Sequence, residues 1–371
     1  MKIVEVMPEF GLAGAEIMCE NLTEELVQMG FDMTVVSLYD YHSPITERME
    51  AKGIKIIYLK KKPGLDLAMI PRLVKVFRAE KPDVVHTHRY VMQYVIPAAI
   101  AAGVKKRFHT VHNIATKETT WSAQKLNMLF YHFCHVTPVA LSKEIQATVV
   151  ARYKLKAAQV PVIYNGIPLE KCLVKSDYAA GDVFEYLHIG RFTAQKNHLM
   201  LLKAYKALLD QGVKGHLTLV GTGELEEEVK KQAADLQLED QVSFFGTTGN
   251  VYPLLQKADA FILPSLYEGM PMTLIEAMGS ALPIMASRVG GIPSMLEDGK
   301  NAVLTEVNEE AITEGMKRLL DENLRKRIGQ SACGRAGEAF SARAMAEAYA
   351  DLFNAEGKSP SCGTGLSGVY R

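Results

Sequence analysis

The chain has 371 residues, 48% hydrophobic and 23% charged, with 42 basic side chains against 42 acidic ones. That length suffices for two domains with separate cores, and the composition excludes a disordered polyelectrolyte. Zero net charge without an aromatic–basic stripe argues against a nucleic-acid binder, and no apolar run reaches the ~20 residues needed to span a bilayer.

The opening Met1-Lys2-Ile3-Val4-Glu5-Val6 reads as a first strand, not a signal peptide. Five scattered cysteines without a CxxC pair read as reduced thiols, so a cytoplasmic setting is expected. Short β-branched runs then alternate with helical patterns, as in a parallel α/β sheet. Strands are predicted at Lys2–Met7, Met33–Leu38, Ile54–Leu59, Val84–His88, Arg107–His112, Val136–Leu141 and Val160–Ile163. A first helix starts near Gly14, with Met18, Leu22, Leu26 and Met29 on one face and Gly30 as its stop. A second covers Ala68–Arg78.

Asn165-Gly166-Ile167-Pro168 is strong punctuation, and the polar stretch after it, to Gly181-Asp182, reads as an interdomain linker. The alternation restarts with strands at Val183–Ile189, Leu217–Val220, Val242–Phe245, Ala260–Leu263, Pro283–Ala286 and Ala302–Leu304. Helices are predicted at Asn197–Gln211, Leu225–Leu236, Pro271–Gly279 and Glu309–Asp321. A last helix, Ala342–Asn354, is expected to pack back on the first domain, before a mobile tail at 356–371. The domains are accordingly 1–166 and 167–341. Charge divides unevenly: 21 basic against 15 acidic residues up to Gly166, and 21 against 27 beyond it.

The most informative segment runs from Pro264 to Gly279. A buried strand enters a tight turn, and Pro271 suits a helix start. The unpaired first-turn amides, those of Met272 and Thr273 included, form an anion site backed by the helix dipole. Glu268 precedes the helix and Glu276 lies within it, among Leu274, Ile275, Ala277 and Met278. Two carboxylates at one strand end can hold the vicinal hydroxyls of two sugar rings; the bland alternative is a dipole-favoured Glu plus a solvated one.

The second segment, Gly190-Arg191 to Lys196-Asn197, puts two cations between a strand's carboxyl end and a helix N-terminus. A cation there needs a compensating anion, and a diphosphate suits an Arg fork with a Lys point charge. Histidines come in close pairs, His86/His88, His109/His112 and His132/His135, without an HExxH pattern; no metal site is expected.

Together Glu268-x7-Glu276, Gly190-Arg191…Lys196-Asn197, Gly14-Ala15-Glu16 and Val111-His112-Asn113 resemble retaining glycosyltransferase family 4, over nearly the whole chain to Asn354. Ala13 stands where many relatives have glycine, and Met278 where capsule-type relatives often carry Gln. The resemblance implies the GT-B fold, two Rossmann-like parallel-sheet domains facing a central cleft. It implies transfer from a nucleotide-diphosphate sugar, UDP-linked, to a glycan or lipid-diphosphate-linked acceptor of cell-surface polysaccharide synthesis, on the cytoplasmic side of an anionic membrane. Carried over by residue, Glu268 would contact the donor sugar, Glu276 the ribose, and Arg191 and Lys196 the diphosphate. His112 would face the sugar, Gly14 would let backbone amides approach the phosphates or sugar, and Gly190 and Gly221, the latter in a Gly-x-Gly-Glu turn, would belong to the donor site. Asn165 and Gly166 would serve the crossover. No Asp-x-Asp occurs, so neither a metal nor any other cofactor is expected beside the nucleotide sugar. Membrane attraction would fall to Lys60-Lys61-Lys62, Lys105-Lys106-Arg107 and Trp121. A sugar-nucleotide epimerase and a non-catalytic sugar-nucleotide binder are the alternatives.

Overall fold

The structure, a computed structural model, describes residues 1–355; the predicted tail at 356–371 lies outside them. The described residues form two compact units, 1–167 together with 341–355, and Pro168–Phe340.

In the first unit, strands β1 (Lys2–Met7), β2 (Asp32–Ser37), β3 (Lys55–Tyr58), β4 (Val84–His88), β5 (Lys106–Val111) and β6 (Val136–Ala140) form one parallel sheet, ordered β3-β2-β1-β4-β5-β6. Helices cover it, which is why β1, β4 and β5 are almost wholly buried rather than alternating. Val4, Val6, Val36 and Val85 pack on one side with Leu73, Phe77 and Val95. Met7, Val35 and Cys19 pack with Ile45 and Met49.

The second unit repeats the plan. β7 (Phe184–Ile189), β8 (Gly215–Val220), β9 (Val242–Gly246), β10 (Ala260–Leu263), β11 (Ile284–Ser287) and β12 (Val303–Thr305) are parallel, ordered β12-β11-β10-β7-β8-β9. In each sheet the strand order reverses beside the unit's first strand, at β1/β4 and at β7/β10. Loops diverge at such a point and leave a crevice at the strand carboxyl ends.

Val160–Ile163 is not a strand. It makes a single bridge, Ala140 to Val162, with bonds from Ala140 N to Pro161 O and from Ile163 N to Ala140 O. Pro161, lacking an N–H, cannot extend the ladder. The predicted linker is not free either: Lys175 N donates to Ser280 O, and buried Tyr178 donates its hydroxyl to Ala281 O, so this stretch lies along the second unit. The predicted Glu309–Asp321 helix stops at Arg318. Asp321 then caps a further helix, Glu322–Ala339, accepting from Leu324 N at 3.1 Å.

The chain leaves the first unit and returns to it side by side, Ile167 bridging to Ser341. A Cβ on Gly166 would lie 2.2 Å from Ser341 O, so only glycine fits there. The returning helix, Ala342–Asn354, packs on the first unit: Tyr349 meets Thr110 at 2.7 Å, and Lys106 Nζ donates to Phe353 O at 2.7 Å.

Candidate active site

In the second unit the loops after β7 and β10 meet at the switch point. A 3₁₀ turn, Ala194–Lys196, follows β7, and Asn197, left-handed at φ 59°, opens the His198–Leu209 helix. Its Nδ2 donates to Pro264 O at 3.0 Å, while Leu266 N donates to Gln195 O at 2.8 Å. Gln195 Nε2 donates to Tyr267 O at 3.0 Å and to Glu268 Oε2 at 3.2 Å. Lys196 Nζ and Ser265 Oγ both donate to Glu268 Oε1 at 2.6 Å.

Two sequence-predicted residues are thus brought together, and one step of the sequence argument is corrected. The anion that compensates Lys196 is Glu268 of the same unit, whose side chain is only 4% exposed. The lysine therefore does not by itself call for a phosphate. After this pairing the loop's remaining cation is Arg191, solvent-exposed beside Gly190. The amides of Met272 and Thr273 also remain, with no acceptor inside the Met272–Gly279 helix, whose Leu274 and Ile275 amides turn back to Pro271 O. Pro271 is the cap of this helix, not its first residue.

Glu276 lies one turn beyond Met272, on the same face. The residue is 7% exposed, and its carboxylate forms no hydrogen bond or ion pair with a described residue. Burial pushes its carboxyl up to about 7. A carboxylate so nearly buried is poorly hydrated, and two hydroxyls would offset that cost.

Glycines shape the loops. A Cβ on Gly190 would sit 3.2 Å from the Lys196 stem, and one on Gly221, at φ +136°, would sit 2.1 Å from Gly190 O. Gly221 is thus required by packing within the unit. Gly290, at φ +53°, is a further requirement that sequence reading missed: its Cβ would lie 1.9 Å from Glu268 O. Gln195 and Ser265 were missed as well, though Ser265 three residues before Glu268 was a local signal.

In the first unit, Gly14 opens the Gly14–Gln28 helix, exposed, and buried Glu16 in its first turn pairs with Arg89. His112 follows β5, half-buried, its Nε2 3.0 Å from His88 Nδ1. His109/His112 and His132/His135 do not work as pairs: His109 bonds Thr87 at 2.9 Å, and His132 bonds Tyr153 O at 2.8 Å. Glu5, His86 and His88, all buried, have donor atoms within 4.8 Å of one another. That is compact enough for a metal and was not anticipated from sequence, where Glu5 is far from both histidines.

Of the two basic clusters only Lys61 and Arg107 are turned inward, while Lys60, Lys62 and Lys105 stay exposed. Lys61 is buried, its Nζ donating to Tyr39 OH at 3.1 Å and Lys62 O at 2.8 Å, and Arg107 donates to Cys134 O. Trp121 starts the Trp121–Phe133 helix, whose cap Thr120 accepts from Ala123 N.

Two six-stranded parallel sheets of identical order, each with its functional loops at the switch point, make this an enzyme of GT-B architecture. Residues 12–171 match the family model described as Glycosyltransferase Family 4, and residues 175–335 the one described as Glycosyl transferases group 1. The chain belongs to glycosyltransferase family 4 and is a glycosyltransferase. It is 27% identical, over 70% of its length and 72% of the other's, to UDP-Gal:alpha-D-GlcNAc-diphosphoundecaprenol alpha-1,3-galactosyltransferase of Escherichia coli. To putative glycosyltransferase EpsF of Bacillus subtilis it is 26% identical, over 77% and 79%. Among solved structures, Anabaena Alr3699/HepE in complex with UDP and glucose superposes with a TM-score of 0.84 at 18% identity, covering 96% of this chain and 100% of that one.

Proposed function

We propose that this enzyme transfers a sugar from a UDP-sugar, with retention of anomeric configuration and without a metal, to a glycan or lipid-diphosphate-linked acceptor of cell-surface polysaccharide synthesis. The observation that carries the donor assignment is Glu276, a nearly buried carboxyl with no donor from a described residue, one helical turn from the free amides of Met272 and Thr273. That spacing suits a nucleoside diphosphate whose ribose hydroxyls meet the carboxyl and whose phosphates meet the amides and Arg191. Lys196, Glu268 and Gln195 form one hydrogen-bonded group that would grip the sugar and offset charge on the departing diphosphate. His112 and Gly14 are assigned to the sugar and phosphates from the first unit. The lipid-linked acceptor and UDP rest on the named relative and on the UDP complex of similar fold.

A thermal-shift panel of UDP, GDP, ADP and CDP tests the donor reading. A nucleotide at a hundredfold excess over its Kd stabilises by ~2.7 kcal/mol. UDP is expected to raise the midpoint, and Glu276→Ala to abolish the rise. No response to any nucleotide would defeat the proposal. Turnover in EDTA and the anomeric configuration of the product, by proton NMR, test the metal-free and retaining parts.

Peripheral membrane contact belongs to the same reading. No described helix is long and apolar enough to cross a membrane. The Trp121–Phe133 helix, however, turns Gln124 and Asn127 inward and leaves Trp121 65%, Leu129 48% and Phe133 74% exposed. These lie at four-residue spacing with exposed Lys125, whose Nζ sits 3.6 Å from the Trp121 ring centre. An apolar ridge carrying a cation suits an anionic lipid surface, on the cytoplasmic side. Sedimentation with phosphatidylglycerol vesicles should be lost in Trp121→Ser/Phe133→Ser at unchanged thermal stability; equal sedimentation of both proteins would remove the ridge from consideration.

A further inference from the structure

The first sheet has its own switch-point cluster, unused by the donor chemistry above. Glu5 on β1 is fully buried and faces β4. His86 Nδ1 lies 3.1 Å from its Oε1, and His88 Nε2 lies 2.8 Å from its Oε2. On its other side His88 reaches His112 Nε2 through Nδ1, at 3.0 Å. His86 Nε2 meets Thr110 at 2.8 Å, and Thr110 meets Tyr349 at 2.7 Å.

Hydrogen-bond counting gives the row His112–His88–Glu5 a single direction. An ionised carboxylate only accepts, so the His88 nitrogen facing it, Nε2, carries the proton. A neutral imidazole has one N–H, which leaves His88 Nδ1 a bare acceptor. The His112 nitrogen that meets Nδ1 is therefore N–H, and His112 Nδ1 is bare in turn. The charge states agree. Burial opposes ionisation of Glu5, yet the two imidazoles overcome it and hold its carboxyl at about 2. Burial lowers His88 to about 4 and, with His88 alongside, lowers His112 well below its ordinary range. Every ring nitrogen of His86 and His88 is engaged, so this set is saturated by hydrogen bonds without a metal.

We infer that Glu5 and His88 are positioning residues that lock His112 in its Nε2–H tautomer, so that His112 presents Nδ1 purely as a hydrogen-bond acceptor. This rests on the assignment of His112 to the bound sugar and sharpens it. The ligand group met by Nδ1 must be a donor, a sugar hydroxyl, and neither a phosphate oxygen nor a leaving group needing a proton.

The test is a long-range proton–nitrogen spectrum of the full chain labelled with ¹⁵N-histidine, with and without EDTA, His112 being assigned by the signal missing in His112→Gln. His112 is expected as Nε2–H with bare Nδ1, and His88 with protonated Nε2, unchanged by EDTA. A protonated Nδ1 on His112, or a His88 Nε2 stripped of its proton until EDTA is added, would overturn the inference on the wild-type chain itself. Glu5→Gln, which puts an amide able to donate beside His88, should mix the His112 tautomers. It should also lower kcat about five- to tenfold, the worth of one hydrogen bond, with KM for the donor little changed. Glu5→Asp, which keeps an acceptor, should restore the tautomer in part. An unmixed His112 in folded Glu5→Gln would also overturn it. If the wild-type tautomer is as described but His112→Ala turns over normally, the lock stands and the sugar assignment fails.

Discussion

Replacing Lys196 with methionine removes the cation from a carboxylate that the fold has already taken out of water. The two side chains are 16% and 4% exposed and meet at 2.6 Å. Breaking such a pair from one side costs ~3–5 kcal/mol, because the surviving charge is stranded. Glu268 keeps Ser265 at 2.6 Å and Gln195 at 3.2 Å, so the lower figure, ~3 kcal/mol, applies. For a unit of this size that is a fall in unfolding midpoint of roughly 6–12 °C. The double variant Lys196→Met/Glu268→Gln has no stranded charge and should recover most of the loss. Turnover should behave differently. With the cation gone, ~10²–10³-fold in kcat is expected to disappear, and the double variant should not regain it. Calorimetric unfolding and nucleotide release, measured on the same three proteins, separate the two effects. A single variant that melts like wild type would show that the pair is not buried. A double variant that turns over normally would show that the lysine serves only the fold.

Two further outcomes follow from the same loops. The folded-state pKa of Glu276, about 7, lies above its ordinary value of 4.5, so the folded chain holds this proton more tightly than the unfolded chain. Its contribution to stability is therefore full at low pH and declines as pH rises from 4.5 through 7. If ribose hydroxyls bind the carboxylate, UDP affinity should climb over pH 6–8 with proton release, seen as buffer-dependent heats of binding, and Glu276→Gln should flatten both; a pH-independent wild type would contradict this. Gly290→Ala must fit a Cβ 1.9 Å from Glu268 O at φ +53°, whereas Gly30→Ala, at φ +87°, meets nothing within 4 Å. The first should destabilise by more than ~3 kcal/mol and the second by ~1, measured by denaturant unfolding; equal losses would show that the loop yields freely.

Two of the helices that sequence reading missed share a cause. Met92–Ala101 is apolar nearly all round and contains Pro97, so it has no amphipathic period to detect. Trp121–Phe133 inverts the usual pattern, with Gln124 and Asn127 inside and Phe133 outside. Both take their places from what the neighbouring elements need, which no local window records. Lys61 and Arg107 show the same limit for charge: each looks solvated in the sequence and is held inside by backbone carbonyls and aromatic faces.

Most strand runs and the helix that follows Pro271 are local matters of side-chain periodicity and backbone conformation, and these the order of residues determined alone. Which charge meets which was decided elsewhere. Glu268 finds Lys196 across 72 positions and His88 finds Glu5 across 83, because strand order puts β7 against β10 and β1 against β4. That order results from burying both faces of a whole sheet at once, a cooperative packing problem with no signature in any short stretch of chain.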